Sequence, residues 1–154
     1  MNRQDAIGKP SPDGTGIHSR HPNGRSKSVG RYLGGVRHGQ WTWYHENGRV
    51  WAVGEYRNGL KQGFWTYWYD SGQKDAEGEY QEGRKVRTWI YWHPNGQLDS
   101  QGGYVDGLED GPWTEWHDNG QKRQYGLYRL GQRWGEWHHW DRDGRQRRQQ
   151  YGAS

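Results

Sequence analysis

GQWTWYHENGRVWAVGEYRNGLKQ, residues 39–62, is the stretch whose reading decides the fold. Its opening returns as GFWTYWYDSG at 63–72, RTWIYWHPNG at 87–96, GPWTEWHDNG at 111–120 and GEWHHWDRDG at 135–144, each copy starting 24 residues after the last. Self-similarity at a fixed period of this size marks a repeat architecture, in which each unit buries its faces only against its neighbours. Counting from Gly39, the third position is Trp41, Trp65, Trp89, Trp113 and Trp137, and the sixth is Tyr44, Trp68, Trp92, Trp116 and Trp140. The sixteenth is Gly54, Gly78, Gly102 and Gly126; the eighteenth is Tyr56, Tyr80, Tyr104 and Tyr128. Upstream, His21-Pro22-Asn23-Gly24 matches His93-Pro94-Asn95-Gly96, but Ile17 and Arg20 stand where the two aromatic columns would be.

Within a unit, an aromatic run, an Asn-Gly pair, a second apolar run and a second glycine turn follow one another. Asn-Gly between such runs is the strongest short hairpin signal, because glycine supplies positive φ. No segment repeats at 3.6 residues. The expected fold is therefore all-β: an elongated single sheet of antiparallel hairpins, with a sheet about 45–50 Å long for five clear units. The expected organisation is a disordered basic tail over 1–14, a degenerate cap over 15–38, units 39–62, 63–86, 87–110 and 111–134, and a partial unit 135–151.

Composition agrees. Hydrophobic residues make up only 29% of the chain, with 12 Trp, 11 Tyr and 26 Gly, so aromatic rings and backbone pairing must replace an aliphatic core. There is no Cys, which excludes disulfides and thiolate metal sites. No apolar run suggests a secretory signal or a transmembrane helix, and a cytoplasmic location is expected. The net charge of +4 resides at the ends: residues 1–38 carry seven Lys/Arg against two Asp/Glu, whereas residues 39–134 carry eleven against thirteen.

A two-residue turn at Asn47-Gly48 would set Trp41 opposite Gly54 and Tyr44 opposite Trp51. Trp41 would then cover Gly54, Trp65 would cover Gly78, and Trp89 would cover Gly102, an aromatic ring filling the space over a strand glycine. Trp41, Trp43, Gly54 and Tyr56 would share one face, with Thr42 and Tyr44 on the other. Tyr56 would bridge Trp41 and Trp65, which lie two strands apart.

The G-x-W-x-x-W/Y-x-x-N-G…G-x-Y…G unit, over residues 15–151, resembles the MORN-repeat variant found in bacteria, whose members are often described as YwqK-type antitoxins. The resemblance implies a repeat sheet that contacts proteins or membrane lipids, a toxin being one partner it suggests. Choline-binding cell-wall repeats are also aromatic hairpins, but they carry W-Y-Y runs at about 20-residue spacing that are absent here.

The sixth-position file is the candidate partner-binding site: Tyr44, Trp68, Trp92, Trp116 and Trp140. On the two-residue register it faces Trp51, Asp75, Asp99, Arg123 and Arg147, which suggests either a half-exposed binding ladder or the seam of a dimer, and Trp and Tyr are favoured interface anchors. His45, His93 and His117 recur at the seventh position, but copies about 10 Å apart cannot converge on one ion. No catalytic motif and no cofactor motif is present. Position eleven (Arg49, Gln73, Gln97, Gln121, Arg145) is not a basic stripe, which disfavours nucleic acid. The expectation is a non-enzymatic module that masks or scaffolds a protein partner through its aromatic surface. The alternative is a membrane-surface or lipid-binding scaffold that uses the basic tail and exposed rings.

Overall fold

A computed structural model describes residues 15–152. They form twelve strands: β1 (Thr15–Arg20), β2 (Ser26–Leu33), β3 (Val36–Tyr44), β4 (Val50–Arg57), β5 (Leu60–Trp68), β6 (Lys74–Gln81), β7 (Arg84–Trp92), β8 (Leu98–Val105), β9 (Leu108–Trp116), β10 (Lys122–Arg129), β11 (Gln132–Trp140) and β12 (Gln146–Tyr151). All pair in sequence order in one antiparallel sheet, and there is no helix among the described residues. The expected basic tail, residues 1–14, lies outside the described residues.

The two turns of each unit differ in kind, and here the sequence reading needs correction. The two-residue turns are Gly34-Gly35, Asn58-Gly59, Glu82-Gly83, Asp106-Gly107 and Leu130-Gly131, where both residues have positive φ. That is the type I′ geometry, whose twist matches the flanking strands. Asn47-Gly48 is the other type. His45 accepts a hydrogen bond from Gly48 N and donates its own N–H to Arg49 O, and only Gly48 has positive φ. This is a type I turn closed by a left-handed glycine, which brings a bulge with it. Asn47 Oδ1 caps the turn by accepting from Arg49 N at 2.9 Å.

The bulge leaves Trp41 opposite Gly54 as expected, but Trp51 loses its partner and Tyr44 faces Val50. Trp68 likewise faces Lys74, Trp92 faces Leu98, and Trp116 faces Lys122. Only the last hairpin lacks the bulge; there Trp140 faces Gln146 and His139 faces Arg147.

A second correction concerns the tryptophans. Trp41 faces Gly54, yet its ring does not lie on it. A Cβ added to Gly54 would fall within the ring of Trp65, from the following unit. The pattern repeats: Trp41 covers Gly30, Trp89 covers Gly78, Trp113 covers Gly102 and Trp137 covers Gly126. The indole N–H of Trp65 donates to Glu55 O at 3.1 Å, and that of Trp89 to Glu79 O at 3.1 Å, which fixes the ring across the strand boundary. Each third-position Trp thus closes over the unit before it rather than its own hairpin.

These rings form the core, on one face of the sheet. Trp41, Trp65, Trp89 and Trp137 are at most 1% exposed and Trp113 is 6% exposed. The eighteenth-position tyrosines stand between them. Tyr56 lies 5.9 Å from Trp41 and 5.1 Å from Trp65, edge-on to both, which is the expected bridge. The same alternation runs through Tyr80, Trp89, Tyr104, Trp113, Tyr128 and Trp137 and ends on Tyr151, 6.2 Å from Trp137. Edge-to-face pairs of this kind contribute about 0.5–1.5 kcal/mol each beyond the area they bury.

Candidate functional site

The sixth-position file lies on the face opposite this core. Tyr44, Trp68, Trp92, Trp116 and Trp140 are each half-buried. His138, on the non-core face of β11, stacks on Trp140 at 6.0 Å, which places that ring. Successive members are two strands apart, so the file spans roughly 38 Å at about 4.8 Å per strand. Their neighbours are not the charged row that the two-residue register predicted. Trp92 sits beside Leu98 rather than Asp99, with Lys74 Nζ 4.9 Å from the ring centre.

What holds the file was not legible in the columns. The backbone carbonyl of each member accepts a hydrogen bond from the seventh-position side chain of the unit before it. His21 Nε2 reaches Tyr44 O at 2.8 Å and His45 Nε2 reaches Trp68 O at 2.7 Å. Tyr69 hydroxyl reaches Trp92 O at 2.7 Å. His93 and His117 reach Trp116 O and Trp140 O, both at 2.9 Å. The histidine column therefore tethers strand ends, and no group of His, Cys, Asp or Glu among the described residues could hold a metal ion. Tyr69 hydroxyl is pushed up to about 12, chiefly by burial and then by Asp75, and stays a proton donor. One turn further out, Asn23, Asn47 and Asn95 donate to Glu46 O, Asp70 O and Asp118 O at 2.6–2.8 Å. The file stands on a backbone cross-linked from unit to unit.

The core face carries a cation column that position eleven did not disclose. It occupies position 23: Arg37, Lys61, Lys85 and Arg133, interrupted by Glu109. Lys61 Nζ lies 4.5 Å from the Trp65 ring centre, Lys85 Nζ 4.4 Å from Trp89, and the Arg133 guanidinium 4.4 Å from Trp137. Burial pushes the Lys61 and Lys85 ammonium groups down from the usual lysine value. These cations roof the aromatic ladder through cation–π contact and are partly withdrawn from solvent.

No helix among the described residues is long and apolar enough to cross a membrane. No curated protein matches the chain. The crystal structure of the GtfA/B complex bound to UDP and GlcNAc aligns at 13% identity with a TM-score of 0.29, covering 73% of this chain and 22% of that one. The chain thus spans under a quarter of that protein's length, and a likeness at this level carries no argument. The repeat itself is matched: residues 37–58, 88–106 and 109–129 correspond to the MORN repeat variant, so the chain carries that repeat in three places.

Proposed function

We propose that this protein is a binding module that acts by covering a protein partner, with Tyr44, Trp68, Trp92, Trp116 and Trp140 as the contact file. MORN repeats in general serve as protein- or membrane-binding modules, and no catalytic role is assigned to any residue here. The observation that carries the reading is the tether under each ring. Five half-buried aromatics stand in line, and each backbone carbonyl is held by the preceding unit. The main chain under each ring is thus held in place, and a half-buried ring on a fixed main chain has less conformational freedom to lose on binding, which favours a hot-spot anchor. The first Trp file is consumed by the core and cannot serve.

A protein is favoured over a lipid surface because Lys61 and Lys85, the cations at the centre of the core face, are engaged over rings rather than presented. The antitoxin reading follows as the specific form: a toxin masked sterically along the file. The test is affinity capture with the full chain, beside a Trp92→Ala/Trp116→Ala variant shown by circular dichroism to remain folded. A partner retained by the parent at 0.5 M salt and lost by the variant is the expected result. Capture unaffected by the double substitution, or binding that moves to anionic vesicles and vanishes in salt, refutes the reading.

A further inference from the structure

One row of the core face runs across the whole sheet and changes character towards its C-terminal end. Through the middle it reads Trp43, Ala52, Tyr67, Ala76 and Tyr91, large rings alternating with small residues across paired strands. It then continues as Ser100, Glu115, Gln124, His139 and Arg147. Glu115, Gln124 and His139 are 8%, 7% and 8% exposed: Glu115 and His139 stand where earlier units carry the partly buried rings Trp43, Tyr67 and Tyr91, and Gln124 where they bury Ala52 and Ala76.

The change opens a cavity of about 600 Å³ over β10, β11 and β12. Arg123, Arg133, Arg145 and Arg147 line it, with His139 and Gln124. The local acids are already engaged. Glu115 takes the Arg123 guanidinium, and Asp141 Oδ1 accepts the backbone N–H groups of Asp143 and Arg145 at 3.0 and 2.8 Å. Arg133 donates to Tyr151 hydroxyl at 3.0 Å and Gln124 Oε1 at 3.2 Å, both neutral. Among the described residues, Arg133, Arg145 and Arg147 have no carboxylate at ion-pair distance. His139 Nε2 is buried with no hydrogen-bond partner. A tyrosine at this position, as at Tyr67 and Tyr91, would leave no orphan nitrogen.

We propose that this cavity is an oxyanion site that takes a phosphoryl group. The free N–H groups of the Arg133, Arg145 and Arg147 guanidiniums would donate to its oxygens, the planar geometry that suits phosphate oxygens, and closure of the site around the anion would bring the buried, unpartnered His139 Nε2–H onto one of them. The bound anion would offset the effect of burial, Arg147 and Arg133, which together hold the His139 imidazole below its usual value. The site adjoins the C-terminal end of the partner-binding file, whose Trp140 also lines it, but its donors Arg133, His139 and Arg147 do not belong to that file.

The probes are pyrophosphate and inorganic phosphate, titrated calorimetrically into the full chain at constant ionic strength. Phosphatidylcholine vesicles with and without phosphatidic acid, tested by sedimentation, form the second arm. Two variants report on the site. His139→Tyr installs the residue that the row already carries at Tyr67 and Tyr91, so it removes the orphan nitrogen with a side chain that this row accommodates. Arg147→Gln acts on the exposed edge strand β12. The expected result is saturable binding of pyrophosphate, weakened tenfold or more by either variant. Binding to free phosphates without vesicle sedimentation assigns a soluble phosphoryl ligand, and sedimentation lost in His139→Tyr assigns a lipid headgroup. Absence of saturable binding to every probe, or binding that both variants retain, overturns the proposal.

Discussion

Gly78→Ala tests the direction in which the units clasp one another. An alanine in a strand is normally better than glycine by roughly 0.5–1 kcal/mol, because glycine loses more freedom on folding. Here the added methyl would enter the ring of Trp89, which is 1% exposed and hemmed by Tyr80 at 5.0 Å, Tyr91 at 6.0 Å and Lys85 at 4.4 Å. A ring so enclosed cannot retreat, and overpacking of this kind costs about 1–3 kcal/mol. The net expectation is a loss on the order of 1–2 kcal/mol. In a Trp89→Ala background the methyl has room, and Gly78→Ala becomes neutral or stabilising, a coupling of roughly 1.5–3 kcal/mol. In a Trp65→Ala background the penalty should remain whole, although Trp65 is the residue directly opposite Gly78. Either Trp→Ala change alone costs about 3–5 kcal/mol. The urea melts are therefore run with sucrose, which strengthens burial by exclusion from the surface, so that every member of the cycle starts folded. If removal of Trp65 relieves Gly78→Ala and removal of Trp89 does not, each Trp covers its own hairpin and the clasp between units does not exist.

Other outcomes follow from particular residues. Arg87 holds φ 58 where the equivalent Gly39, Gly63, Gly111 and Gly135 hold φ 68–88, and its ion pair with Glu79 is exposed, so Arg87→Gly should raise stability by up to about 1 kcal/mol in thermal melts. Leu130→Asn should act in the same direction, because Leu130 stands at φ 48 in a type I′ turn and is 63% exposed. Trp92→Ala should cost about 1 kcal/mol of stability but 2 kcal/mol or more of partner affinity, about thirtyfold, compared by melting and binding curves. His139 is held below 6.5 by burial and by Arg147 and Arg133, against Glu115, which raises it; Gln124 packs alongside and His138 adds a small lowering. Its contribution is whole above pH 6.5, and it falls as acid protonates the unfolded chain first. Melts between pH 7.5 and 5 should therefore show the parent losing more stability than His139→Tyr; equal losses would remove His139 from that account.

Much of the fold was legible because period and face are strong constraints. The gap-free 24-residue spacing, the pairing of Trp41 with Gly54, and Tyr56 as the bridge all come from alternation along strands and a constant unit length. The turn types were not legible. Asn47-Gly48 and Asn58-Gly59 present the same dipeptide, and Glu82 and Leu130 occupy a left-handed position that those residue types disfavour, which hid the true two-residue turns. The misplaced turn carried forward into the neighbours of Tyr44, Trp68, Trp92 and Trp116. The direction of the indole over Gly78 was hidden for another reason. A glycine in the middle of a sheet has a paired strand on each side, and the sequence marks the vacancy without saying which neighbour fills it. The cation column lay at position 23, beyond the glycine turn, and an inspection confined to residues near Trp41 passes over it.

The closure of each Trp over the preceding unit gives the array a polarity, like a polymer with distinct head and tail groups. Each unit from 39–62 to 111–134 supplies a lid upstream and a socket downstream, so a whole 24-residue block can be spliced between two others with lids and sockets still matched. At β12 that grammar stops. Without the bulge the frame shifts by one residue, Trp137 faces Gln149 instead of a glycine, and Tyr151 slides into the place of the eighteenth-position tyrosine. A sixth lid docking on β12, from another unit or from a second copy, would meet the side chain of Gln149 where the earlier units offer an empty socket. The strand that could most easily propagate the sheet is thereby made a poor template for doing so.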